Sequence, residues 1–222
     1  AALEAHFQKR MRRIDCTFSA DGSEPLKAAL ERIRHEAEDA VRGGAENLLL
    51  TDEDVGPDRA PMPMILAVGA VHSHLVRQKL RAFSSITVRS GECMDTHCFA
   101  VLIGVGATAV NAYLTEAAIA DRHARNLFPG LTLQECLARF KEAINQGLLK
   151  IMSKMGISII SSYRGGCNFE AIGLSRSLCR EYLPGMVSRI SGIGLAGISK
   201  RILEMHERAF GEGAVVLPIG GF

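Results

Sequence analysis

A chain of 222 residues with 47% hydrophobic content can bury a core of ordinary size, which favours one domain, at most two, and excludes disorder. Lys plus Arg number 26 against 24 Asp plus Glu, with no block of like charge, so counterion release has no source and nucleic acid is not an expected partner. The longest apolar stretches, such as Phe99 to Val110, are too short and too Gly-rich for a bilayer, which needs roughly 20 apolar residues, so no membrane partner is expected either.

Ala1 to Arg13 places its charges inside an amphipathic stretch and lacks the apolar segment and small-residue cleavage site of an export signal. The six cysteines, Cys16, Cys93, Cys98, Cys136, Cys167 and Cys179, stand mostly in apolar surroundings and read as reduced structural thiols of a cytoplasmic protein. Trp is absent and aromatics are 5%, which leaves few stacking platforms for bases or sugars.

In chain order, apolar residues from Leu26 to Val41 recur at helical spacing, and with Ser23 as cap they predict a helix over Glu24 to Arg42, ended by Gly43-Gly44. Asn47 to Thr51 reads as a buried strand feeding the acidic loop Asp52-Glu53-Asp54. A Pro-rich loop, a helix from Met64 to Arg81 and a β-branched strand Ser85 to Arg89 repeat the step. A third helix over Asp95 to Gly106, a strand Ala109 to Tyr113, a long helix Leu131 to Met155 and a fourth strand Ile157 to Ser161 are expected next. The last part changes character: short helical pieces between Phe169 and Leu183, a Gly-rich turn Ser191 to Gly194, and a helix Leu195 to Phe210. Val215 to Phe222, apolar and without a solubilising tail, reads as a cut inside a longer polypeptide. Alternating helices and strands imply crossover connections, so the fold class is α/β with a parallel sheet, either part of a (β/α) barrel or an open sheet. The core is assigned to residues 1–190, with 191–222 as a linker helix and the start of a connection.

Cys93, His97 and Cys98, with Glu92 and Asp95, crowd metal-capable groups into one segment. Zinc spacing needs a second ligand pair, and His72 with His74, at i and i+2 of a predicted helix, do not face the same side. No metal site is therefore assigned. Iron–sulfur spacing is also missing, and a Cys–His nucleophilic pair is disfavoured because catalytic partners are rarely sequence neighbours. Ser161 to Gly166 follows a predicted strand, so its N–H groups and Arg164, with Gly165 and Gly166, are the candidate anion site. The plain alternative gives the glycines to a tight turn and Arg164 to an ion pair with Glu170. Gly192-Ile193-Gly194 is a weaker feature of the same kind. Asp52, Glu53, Asp54 and Asp58 with Arg59 sit at a strand end, where α/β folds carry function, but read more simply as a solvated acidic loop with one internal ion pair.

Several blocks are specific: Asp58-Arg59-Ala60-Pro61-Met62-Pro63, Ala67 to Leu75, Ser90-Gly91-Glu92, Gly147 to Ser158 with Lys154-Met155-Gly156-Ile157-Ser158, Ser162-Tyr163-Arg164-Gly165, and Phe169 to Leu174. In order and spacing, from Ile14 to Phe210, the chain resembles the large chain of glutamate synthase, in the later part of the central domain that precedes the FMN-binding synthase domain. It departs from the family at Met94, Cys98, Cys167 and Ser191, where Arg, His, Gln and Gly are expected. The resemblance implies a parent enzyme that makes L-glutamate from L-glutamine and 2-oxoglutarate with reduced FMN, an iron–sulfur cluster and a small electron-supplying partner. The amidotransferase nucleophile, the flavin loops and the cluster cysteines belong to other parts of that polypeptide. No catalytic residue and no cofactor are thus expected within these residues, whose role reads as a structural linker between the amidotransferase and FMN-binding domains.

Overall fold

The computed structural model describes residues 2–7 and 10–211; the expected apolar run from Val215 lies outside them. Helix α1 (Ala2–Phe7) precedes strand β1 (Met11–Asp15), and β2 (Thr17–Ser19) follows at once. Next come α2 (Leu26–Arg42), β3 (Asn47–Thr51), β4 (Arg59–Pro61), α3 (Met64–Arg77), a 3-10 turn Arg81–Phe83, β5 (Ser85–Arg89), α4 (Thr96–Gly104) and β6 (Ala109–Asn111). The remainder holds α5 (Tyr113–Ala124), α6 (Leu133–Lys154), α7 (Ile160–Tyr163), β7 (Glu170–Leu174), α8 (Arg176–Tyr182), β8 (Val187–Ile193) and α9 (Leu195–Phe210).

The main sheet runs β1-β3-β5-β6, every neighbour parallel, so the fold is α/β with alternating helix-strand units. Strand order equals chain order, which is the connectivity of a partial (β/α) barrel, while β1 and β6 remain the edges of an open sheet. Side chains alternate across it. Ile14, Leu48, Leu50, Ile86 and Val88 face the helices and enter the main core, whereas Asn47, Thr51, Thr87, Arg89 and Asn111 occupy the other face, with Asn47 Nδ2 donating to Thr87 Oγ1 at 2.9 Å. Helices α2, α3 and α4 pack in succession over the apolar face. No helix among the described residues is long and apolar enough to cross a membrane.

Several expectations shift. The sheet has four strands, but the first is Met11–Asp15 and the expected one at Ile157 to Ser161 is absent: α6 ends at Lys154, Gly156 (φ +71°) turns the chain and a helical turn follows at Ile160. Helix α2 begins after Pro25, an N-cap with no side-chain acceptor, while Ser23, two residues earlier, donates its hydroxyl to Ser19. Helix α3 stops at Arg77, because Lys79 takes a left-handed conformation (φ +60°) that turns Arg81 back towards the helix. The stretch from Phe169 to Leu183 is a helix preceded by a strand, and Ser191 to Ile193 continue strand β8.

Candidate functional site

Parallel α/β folds carry their chemistry at the carboxyl ends of the strands. Here those ends bring together Asp15, Asp52, Glu53, Arg89 and Ser90. Asp52 is only 3% exposed. Its carboxylate accepts from Ser90 Oγ and from the Gly91 N–H, each at 3.0 Å, and from the Tyr113 hydroxyl. Burial raises its pKa against the pull of those three donors. Arg89 stacks 5.9 Å over the Tyr113 ring and pairs with Glu53 at 3.1 Å.

Arg59 reaches out of its loop rather than into it. Its guanidinium donates to Asp15 at 2.7 Å, to Thr17 Oγ1 at 2.9 Å and to Glu24 at 3.4 Å, while Arg32 donates to Glu24 at 2.7 Å and to the Thr17 carbonyl at 2.8 Å. Arg13 pairs with Asp54 at 2.6 Å. The expected solvated loop with one internal pair is therefore a network joining β1, β3, β4 and α2, with a buried aspartate at its base. Most of its charges pair with one another and tie the strand ends together.

The second region surrounds His72. Its Nδ1 accepts from Arg81 Nε at 3.0 Å, which leaves the ring proton on Nε2. Burial first, then the charges of Arg81 and Arg164, hold its pKa down to about 4, so the ring is neutral at pH 7. Arg81 donates further to the carbonyls of Ser84 and of Gly106, the latter at 2.9 Å; burial and Arg164 lower its pKa to about 10. The imidazole lies between two glycines with positive φ. A Cβ on Gly106 (φ +127°) would meet His72 Nδ1 at 2.3 Å, and one on Gly165 (φ +72°) would meet Cε1 at 3.3 Å. His74, two residues on, points elsewhere and contacts Glu38 at 2.7 Å.

The turn carrying Arg164, Gly165 and Gly166 closes over this histidine. Gly165 N–H donates to the Ile103 carbonyl at 3.1 Å, Gly166 N–H to Tyr163 at 3.2 Å and Cys167 N–H to Gly104 at 3.0 Å. The turn thus closes the carboxyl end of α4: it supplies the donor to the Gly104 carbonyl and a second donor to that of Ile103, which also accepts from Gly106 N–H. Glu170 pairs with Arg189 at 3.3 Å, not with Arg164, because β7 carries it towards β8. Arg164 itself is exposed, with no ion pair among the described residues. A cavity of about 300 Å³ opens beside Gly165, lined by Gly69, His72, Ser73, Arg77, Cys167 and Tyr182 among others.

The segment Glu92 to Cys98 is used for capping. Glu92 accepts from the N–H of Met64 at the start of α3 at 2.8 Å, and Asp95 from the N–H of Cys98 at the start of α4 at 2.9 Å; both set a negative charge at a helix N-terminus. Burial pushes the Cys93 thiol up to about 12 and raises Cys98, which keeps both protonated and weakly nucleophilic. Among the described residues no group of three or more His, Cys, Asp or Glu is placed to hold a metal ion. Gly192 is a packing glycine: a Cβ there would meet the Gly173 carbonyl at 2.1 Å. The His72–Arg81 pair escapes sequence reading, since its only local signal is the same-helix His74.

The glutamate synthase central domain family matches residues 1–175. The large chain of the NADPH glutamate synthase of Azospirillum brasilense is 64% identical over 210 residues, covering 94% of this chain and 14% of that protein. The NADH glutamate synthase of Schizosaccharomyces pombe is 39% identical over 199 residues, covering 89% and 9%. The chloroplastic ferredoxin-dependent enzyme of Spinacia oleracea is 38% identical over 198 residues, covering 84% and 12%. The chain therefore spans about one-seventh or less of the length of these relatives, which are named for three different electron donors. With a parallel sheet in chain order and its family match over most of its length, the chain belongs to the central domain family of glutamate synthase.

Proposed function

We propose that this chain is a non-catalytic scaffold within a glutamate synthase, fixing the distance and orientation between a glutamine-hydrolysing amidotransferase domain and an FMN-binding synthase domain of the same cytoplasmic polypeptide. The observation that carries this reading is the state of the strand ends: Arg59 pairs with Asp15 and Glu24, Arg32 with Glu24 and Arg89 with Glu53, while Asp52 is held by Ser90, Gly91 and Tyr113. The parent enzyme's FMN, iron–sulfur cluster and small electron-supplying partner are assigned to other parts of the assembly. The described residues do not fit a cluster, since no metal-capable group of three or more is assembled there.

A second reading has one observation in its favour. Arg164 stands exposed, next in the chain to Gly165, which lines the 300 Å³ cavity with His72, and its charge is felt by His72 and Arg81; there a phosphate or the edge of a flavin would find a cation. Such a ligand would be held by the guanidinium, because the N–H groups of Gly165 and Gly166 already have acceptors.

One experiment separates the two. Thermal unfolding with and without FMN or phosphate, beside an absorbance spectrum of the purified chain, gives no shift and no bound flavin for a scaffold. A site raises Tm as RT ln(1 + [L]/Kd) predicts, and Arg164→Ala abolishes that rise.

A further inference from the structure

The last third of the chain contains a two-stranded sheet of its own. Strands β7 and β8 are parallel, joined by α8, and pair Glu170 with Val187, Ile172 with Ile190 and Leu174 with Ile193. Parallel strands persist where both faces are covered, and two strands alone do not hold in water. One face meets that condition: Ala171 is buried, and α8 sends Leu178, Cys179 and Tyr182 into the core. The other does not. Ile172 is 70% exposed and its register partner Ile190 61%, with Val187 at 51% beside them. The Arg189–Glu170 pair is the ion pair of this sheet, so a charged partner has little to grip.

We propose that the outer face of β7–β8, centred on Ile172 and Ile190, is a docking surface for an apolar segment of the same polypeptide outside these 222 residues. Relatives extend far beyond this chain, which covers 14% of the Azospirillum brasilense protein, so most of the polypeptide is available to cover it. A segment on the same polypeptide also acts at millimolar effective concentration, well above that of a free partner. The unit straddles the end of the family match at residue 175, which places it at the junction between the central domain and the next part of the polypeptide. The inference rests on reading the chain as one module of a longer enzyme. It stands apart from the flavin question, because a scaffold without flavin remains one whether or not this face is covered.

The test uses the full-length large chain with a photoreactive benzoylphenylalanine at position 190, in a mixture of heavy- and light-isotope copies. The expected product is a cross-link within one copy, joining residues 187–193 to sequence outside the 222. Cross-links only within the 222, between heavy and light copies, to another protein, or none at all, overturn the proposal. In the same full-length protein Ile190→Asp is expected to speed hydrogen exchange at residues 187–193 at least tenfold, while exchange in α2 and α3 stays unchanged. Unaltered exchange at 187–193 would also overturn it, since an uncovered isoleucine tolerates the change.

Discussion

Residues 14–112 and residues 113–211 are built from similar apolar content and end in different states. In the first region α3, fourteen residues long, buries nine, and strand β3 is buried throughout. In the second, α5 buries none, α6 buries three of twenty-two and α9 buries only His206. The first region closes its own core because a parallel sheet gives each crossover helix a wide apolar face to cover. The second lays single helices and a two-stranded sheet against that core, and the described residues leave their outer faces uncovered.

Truncating one leucine in each region tests this contrast most directly. Leu50→Ala removes a fully buried side chain between β1 and β5 and is expected to cost about 4 kcal/mol. Leu149→Ala, at a side chain 56% exposed, is expected to stay within about 0.5 kcal/mol. Urea unfolding of both variants measures the difference, and equal losses would erase the distinction between the regions.

Gly106→Ala comes next, at about 3 kcal/mol, because strain at positive φ is joined by a collision with His72. Gly44→Ala provides the control, having positive φ but open space, and is expected to lose about 1 kcal/mol in the same assay. A Gly106→Ala loss no larger than that of Gly44→Ala would mean that the slot around His72 is loose.

His72 predicts a pH dependence of similar size. Its pKa falls from 6.5 to about 4 on folding, so between those values the unfolded chain binds a proton that the folded chain refuses. Stability from this group is full above pH 6.5 and is lost as pH falls towards 4, by about 3 kcal/mol over the window. Arg81 and Arg164 are the cations that oppose protonation. Denaturation between pH 4 and 7 reads the slope, which His72→Gln should flatten.

The smallest effect belongs to α6. Thr132 and Glu135 form a reciprocal cap, each side chain accepting from the other's backbone N–H. Thr132→Ala is expected to weaken that end by about 1 kcal/mol. Faster hydrogen exchange in the first turn of α6, without change in the main sheet, is the readout that fits a weakly packed second region.

Much of the first region was legible from pattern. Strands β3 and β5 were expected at their observed bounds, and α4 within two residues, since a continuous apolar run between turn residues suits a buried parallel strand. Strand β1 was missed because Arg12 and Arg13 interrupt it: it is an edge strand that buries Ile14 and leaves both arginines in water. The stretch Ile157 to Ser161 misled for the opposite reason. Its isoleucines suit a strand, yet Ile159 and Ile160 end up exposed after a glycine that ends α6. At the candidate sites, the turn at Arg164 to Gly166 was visible as a turn, but Arg164 was expected to find Glu170, and the strand pairing gives that carboxylate to Arg189.

Local pattern in the sequence was enough for the α/β class, the order of most elements and the family, because periodic burial and specific blocks are properties of neighbouring residues. Packing in three dimensions chose who holds whom: Arg59 with Asp15 and Glu24, Arg81 with His72, the Gly165 turn with the end of α4. Apart from His72 and Arg81, which are nine residues apart, those pairings join residues far apart in the chain, and charge and hydrogen-bond complementarity act through space, where the pleat of the sheet and the packing of the crossover helices set every distance.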